Sequence, residues 1–157
     1  MEWILANKPL LIGLHLGFAI LGIDGFLWLL GELFAKEVNM RRARIAGILG
    51  LIGFIGSWLF GGYYYLNFYG TLVKPEIIAG SAPWAHAVAM EAKEHIFLFL
   101  VPMAFSVIAL LFAGSDMSSA TDIKRAVRWL IITIVLLAFL IGAMGYIISA
   151  AARWAVL

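Results

Sequence analysis

Long apolar runs separated by short charged breaks dominate the chain. Four runs stand out: Pro9–Leu33, Ile45–Phe68, Ile96–Ala113 and Trp129–Ala152. Each approaches or exceeds the roughly 20 apolar residues that a helix needs to cross a bilayer. None alternates polar with apolar, as a lipid-facing barrel strand does. The pattern predicts helices over about 9–33, 45–68, 83–113 and 127–152, with one sizeable outer loop at 70–94. The third helix is expected to start ahead of its apolar run. Ser81 is placed to cap it and Pro83 falls in its first turn, where a missing N–H costs nothing. It then extends outward as an interfacial stalk carrying Trp84, His86, Met90, Glu91, Lys93, Glu94 and His95, and Pro102 is expected to kink it within the membrane. The fold class that follows is an all-α integral membrane protein, a four-transmembrane-helix bundle forming one membrane domain over residues 1–157.

Composition agrees and narrows the class. Hydrophobic residues make up 64% of the chain and charged ones 13%, more apolar surface than a soluble domain of this size can bury. Mean hydropathy is +1.03. Cysteine is absent, which excludes disulfides, thiolate metal sites and covalently attached haem. No nucleotide-binding loop, nucleophile elbow, zinc-protease helix or paired catalytic carboxylate is present, and the halves show no repeat of the kind transporters use. The first run lacks the short apolar core and small-residue cleavage site of a signal peptide, so it is expected to be retained.

Charge placement sets an orientation. Lys36, Arg41, Arg42 and Arg44 lie between the first two helices, and Lys124, Arg125 and Arg128 precede the fourth; together they are seven of the eleven Lys and Arg. The positive-inside rule makes both loops cytoplasmic, so both termini and the 70–94 loop are expected to be extracytoplasmic. This describes a multi-pass protein of the cytoplasmic (inner) membrane. The net charge of +2 reflects these loops and implies no nucleic-acid partner.

Glycine recurs at helical spacing: Gly13, Gly17, Gly22 and Gly25 in the first helix, Gly47, Gly50, Gly53 and Gly56 in the second, Gly142 and Gly145 in the fourth. Such rows let helix backbones approach closely in lipid. They also leave room for a flat macrocycle.

The candidate chemistry rests on few residues. His15 begins the first helix and His95 the third, and parallel helices place both in the outer leaflet. Two imidazoles across a bundle hold b-type haem, and a membrane imidazole needs a polar or metal partner. His15 and His95 are therefore the expected axial ligands to haem iron, with Gly13 and Gly17 giving room for the ring edge. An imidazole bonded to a neighbouring helix is the plainer account of His15, and an interfacial histidine that of His95. His86, Met90 and Glu94, at i, i+4 and i+8, form a competing stripe for a copper or iron ion, and Glu91 with His95 forms another. Asp24, deep in the first helix, is a candidate for proton or ion transfer, or for a bridge between helices. The layout resembles small four-helix membrane b-type cytochromes in architecture and in its two histidines. That resemblance implies an electron-transfer subunit exchanging electrons with quinol inside a larger respiratory complex, with lipid, quinone and other membrane or extracytoplasmic subunits as partners. The alternatives are a cofactor-free structural or accessory subunit and a proton- or ion-coupled transporter using Asp24. Reporter fusions test the orientation: fusions at Leu157 are expected to report outside and fusions near Met117 inside, and an inside C-terminus overturns it.

Overall fold

A computed structural model describes residues 2–113 and 121–155, all within or between helices. The expected inner loop before the fourth spanning helix falls on residues 114–120, which lie outside the described residues. After a short α1 (Glu2–Ala6), Asn7 caps α2 (Lys8–Phe34), its side-chain oxygen accepting from the Leu10 N–H at 3.1 Å, with Pro9 in the first turn. Asn39 caps α3 (Met40–Tyr64) in the same way, accepting from the Arg42 N–H at 3.1 Å. The chain then continues as a π-helical stretch, Tyr65–Val73, into α4 (Lys74–Ala79). A break at residues 80–83 precedes a second π-helical stretch, Ala85–Met90, which runs into α5 (Glu91–Ala113); α6 (Thr121–Trp154) closes the described chain. Four helical units, Lys8–Phe34, Met40–Ala79, Ala85–Ala113 and Asp122–Trp154, are long and apolar enough to cross a membrane.

One difference from expectation matters. The second spanning unit passes Phe68 and reaches Ala79, so most of the 70–94 segment is helical. The polar breaks there did not end the helix, because a change to π winding keeps the backbone bonded. The α5 helix runs on through Pro102, and the Ser106 hydroxyl donates to the Pro102 carbonyl at 2.9 Å.

The helices form a ring in which α2 packs on α3, α3 on α5, α5 on α6 and α6 on α2, leaving α2 and α5 at opposite corners. The core between them is apolar, with Phe26, Leu29, Leu100, Val107 and Ile134 essentially inaccessible. Large apolar side chains such as Leu59, Phe105 and Leu136 point outward. That inside-out dressing suits lipid.

The α2–α3 seam is the most intimate contact in the bundle. A Cβ added at Gly25 would lie 2.5 Å from the Gly50 backbone nitrogen, and one at Gly53 would meet the Gly22 backbone. Phe26 and Phe54 stack beside these glycines, centroids 5.4 Å apart. Lipid supplies no hydrophobic drive between helices, so this close packing is the attraction itself.

Arginines close the end of the bundle that bears the basic residues. Arg44 donates from Nε to the Leu111 carbonyl at 3.1 Å, and Arg128 donates from Nε to the Leu33 carbonyl at 3.1 Å. Each therefore caps the last turn of a helix other than its own, where free carbonyls and the negative dipole end favour a cation. Phe112 and Phe34 lie beneath the two guanidinium groups at 4.9 and 4.4 Å.

Gly25→Ala is expected to cost about 1–3 kcal/mol, because the added methyl meets backbone rather than a movable side chain. Gly31→Ala, with open space at its Cβ, is expected to change stability by less than about 0.5 kcal/mol. Thermal unfolding of both variants in one detergent checks the pair; equal melting points would mean the seam is looser than described.

Candidate functional site

The chemistry gathers at the end of the bundle opposite the arginines, where the two π-helical stretches meet the C-terminal part of α6. Tyr69, from the first stretch, is buried with Ile77, Ala85, Met90 and Ile148. Its hydroxyl lies 3.1 Å from His86 Nδ1, and His86 is only 8% exposed. The other ring nitrogen, Nε2, faces Glu91 Oε1 at 4.0 Å. Winding is the reason for that pairing. In an α-helix His86 would share a stripe with Met90 and Glu94, but π turns bring residues five apart together, and His86 to Glu91 is five.

The resulting order is Tyr69, His86, Glu91. A carboxylate near Nε2 favours the proton there, which leaves Nδ1 to accept from the tyrosine hydroxyl. Tyr65 stacks on Tyr69, centroids 5.2 Å apart, with its hydroxyl beside the Glu94 carboxylate. Glu94 Oε1 is buried and, among the described residues, has no hydrogen-bond partner. Such an atom calls for a proton or a ligand donor. Lys93 points to α6, its Nζ 3.9 Å from where a Cβ on Gly145 would stand, and lies within electrostatic reach of Glu94 and His15.

His15 sits at the same end on the α2–α3 seam. Its ring fills the space left by Gly61, and Nδ1 is 2.8 Å from the Ser57 carbonyl and 3.0 Å from the Ser57 hydroxyl. A carbonyl only accepts, so Nδ1 carries the proton and Nε2 keeps its lone pair. His95 is held similarly, Nδ1 donating to the Glu91 carbonyl of its own helix at 2.6 Å, but its ring is exposed.

The expected pairings are therefore distributed differently. His15 turns to α3 and His95 to the outside, on helices at opposite corners of the ring. Gly13 and Gly17 lie two residues either side of His15, across the helix from it, and none of the described residues stands within 4 Å of their added Cβ atoms. Of the alternative metal stripe, His86 and Met90 are buried in one cluster while Glu94 faces Tyr65. Among the described residues, no group of three or more histidine, aspartate or glutamate side chains is placed to hold a metal ion. Asp24 is exposed on the outer face of α2, away from the four-helix core.

Sequence reasoning missed Tyr69, Tyr65, Ser57 and Gly61. The aromatic crowding at residues 63–69 was visible, yet it reads equally well as an interfacial belt. Comparison with known protein families, characterised proteins and solved structures finds no match to this chain, so the site stands on its geometry alone.

The tautomers give a direct check. With neutral rings, nitrogen-15 NMR is expected to show His15 protonated on Nδ1 and His86 on Nε2, and Tyr69→Phe is expected to perturb His86 without affecting His15. One common tautomer for both rings would contradict the hydrogen-bond assignment.

Proposed function

We propose that this chain is a membrane-embedded electron-transfer subunit that accepts the protons of a quinol at the outer end of its bundle. The observation that carries the proposal is the Tyr69–His86–Glu91 line beside the unpaired buried oxygen of Glu94. Oxidation of a quinol releases two electrons and two protons, and the protons need acceptors where water is scarce. The Glu94 carboxylate can accept the proton of one quinol hydroxyl. The Glu91 carboxylate can take the other: the Tyr69 hydroxyl passes its proton to His86 Nδ1 and takes up the quinol's, while His86 releases one from Nε2. Tyr65, half-buried and stacked on Tyr69, offers an aromatic surface to a flat ring. The electrons pass to a one-electron carrier of the larger respiratory complex in which the subunit works. With the basic loops inside, the site and both termini face the extracytoplasmic side of the inner membrane.

Haem b bound to this chain is the second reading. It is favoured by the free Nε2 of His15 and of His95, since a proton on Nδ1 bonded to a carbonyl is the usual support of a ligating imidazole. The two rings do not fit one shared haem, because they face different sides of the bundle, so each would need its second axial ligand elsewhere. Transport through Asp24 draws no support from a carboxyl outside the helix core.

A short-chain ubiquinol analogue added to the protein in nanodiscs is expected to quench tryptophan fluorescence saturably. Glu94→Gln and Tyr69→Phe should weaken that binding about tenfold, roughly 1.4 kcal/mol, while Asp24→Asn should leave it unchanged. No saturable binding by the wild type overturns the quinol proposal. An absorption spectrum decides the haem reading: low-spin b-type bands lost in His15→Ala uphold it, and a colourless protein ends it.

A further inference from the structure

We propose that the outward face of α2, from Gly13 to Gly31, binds a transmembrane helix of another polypeptide that carries a basic side chain opposite Asp24. This rests on the chain spanning a membrane and not on the chemistry of the outer end. At 100° per residue, Gly13, Gly17, Trp28 and Gly31 all lie within about 40° of Asp24 around the helix. Among the described residues, an added Cβ at Gly13, Gly17 or Gly31 would meet nothing within 4 Å, whereas Gly22 and Gly25 are filled by α3. One helix thus carries two glycine faces, of which the chain uses only one. The unused face ends at the inner side in an open hollow of about 740 Å³, bordered by Gly31, Glu32, Val38, Met40 and Arg42.

The charge on this face decides its occupant. Asp24 is exposed, and no hydrogen bond or ion pair among the described residues involves it. It stands about 24 Å from Lys8 and about 15 Å from Phe34 along the helix, too far for its short side chain to reach either interface. Lipid tails offer a carboxyl nothing, and an intramembrane acid takes a partner. This chain cannot supply the complement. Between Arg44 and Lys74, between His95 and Ala113, and between Arg128 and Arg153 there is no Lys, Arg or His. A symmetric second copy would set Asp24 against Asp24. The complementary cation must come from a different chain, and the glycines at 13 and 17 allow its backbone to approach closely.

The absence of cysteine makes the test clean. A fluorophore is attached to the otherwise complete chain through Lys8→Cys, and the labelled protein is reconstituted in phosphatidylcholine vesicles. The probes are two acceptor-labelled leucine–alanine transmembrane peptides, one with a single central lysine and one without. Energy transfer to the lysine peptide is expected to saturate at about tenfold lower peptide density than transfer to the leucine–alanine control. Asp24→Asn should abolish that preference, and Gly17→Leu should weaken the binding with the melting point unchanged. Gly142→Leu, at another open glycine on α6, should have no effect. Equal transfer to both peptides, or a preference that survives Asp24→Asn, overturns the proposal. So does pairing of two labelled copies through this face that the lysine peptide cannot displace, which would make it a homodimer surface.

Discussion

The bundle depends on how closely two backbones approach. Along the α2–α3 seam, Gly22 and Gly25 meet Gly53 and Gly50 with no side chain between them. In water such a contact would be a minor addition to hydrophobic burial. In lipid it replaces that driving force, because apolar side chains gain little by leaving lipid for protein. The seam also determines what each helix can still offer. Once α2 gives its Gly22–Gly25–Leu29 side to α3, His15 falls on the seam and lodges over Gly61, while Gly13, Gly17 and Asp24 are turned out of the bundle. The positions of the polar residues in the first helix follow from that one choice of face.

The two ends of the bundle use their polar residues differently. At the basic end, Arg44 and Arg128 close the carbonyls of α5 and α2, and Glu32 accepts from Trp28 Nε1 at 3.0 Å while pairing with Arg42 at 2.9 Å. Arg42, Arg44 and Arg128 each find an acceptor there, so basic residues of the two charged segments also finish the helices. At the other end the polar groups are only partly satisfied. Tyr69 and His86 bond each other, His86 faces Glu91 at a distance beyond an ordinary hydrogen bond, and one oxygen of Glu94 has no partner among the described residues. Full satisfaction makes a structural device. Incomplete satisfaction leaves room for a proton or a ligand.

How much of this was legible varied with the range of the interaction. The apolar runs located the spanning helices well, and the first matches within a residue at each end, because length and hydropathy are local properties. The expectation that Gly13 and Gly17 make room beside His15 overlooked the 3.6-residue period, which sets residues two apart on opposite sides of a helix. The π winding was not legible. No propensity encodes it, and by moving the repeat from four residues to five it exchanged the Met90 and Glu94 neighbours of His86 for Glu91. The Ser57 contact of His15 joins residues 42 apart in sequence and depends on the register of the glycine seam, which no single helix reveals.

Glu32 and Asp24 show why fold and assembly can be separate matters in this chain. Both are carboxylic acids on α2, eight residues apart. Glu32 is buried beside Trp28 and Arg42, whereas Asp24 looks outward with neither a donor nor a cation among the described residues. An aspartate at the centre of a spanning helix opposes insertion by about 2.5–3.5 kcal/mol on the translocon scale. A helix with as many apolar residues as α2 can absorb that, each leucine, isoleucine, phenylalanine or valine contributing about 0.3–0.6 kcal/mol in favour of insertion. The four helices can therefore insert and pack through the glycine seam with Asp24 unmatched. Its carboxyl then acts on what happens afterwards, between chains, where a single complementary group has much to gain.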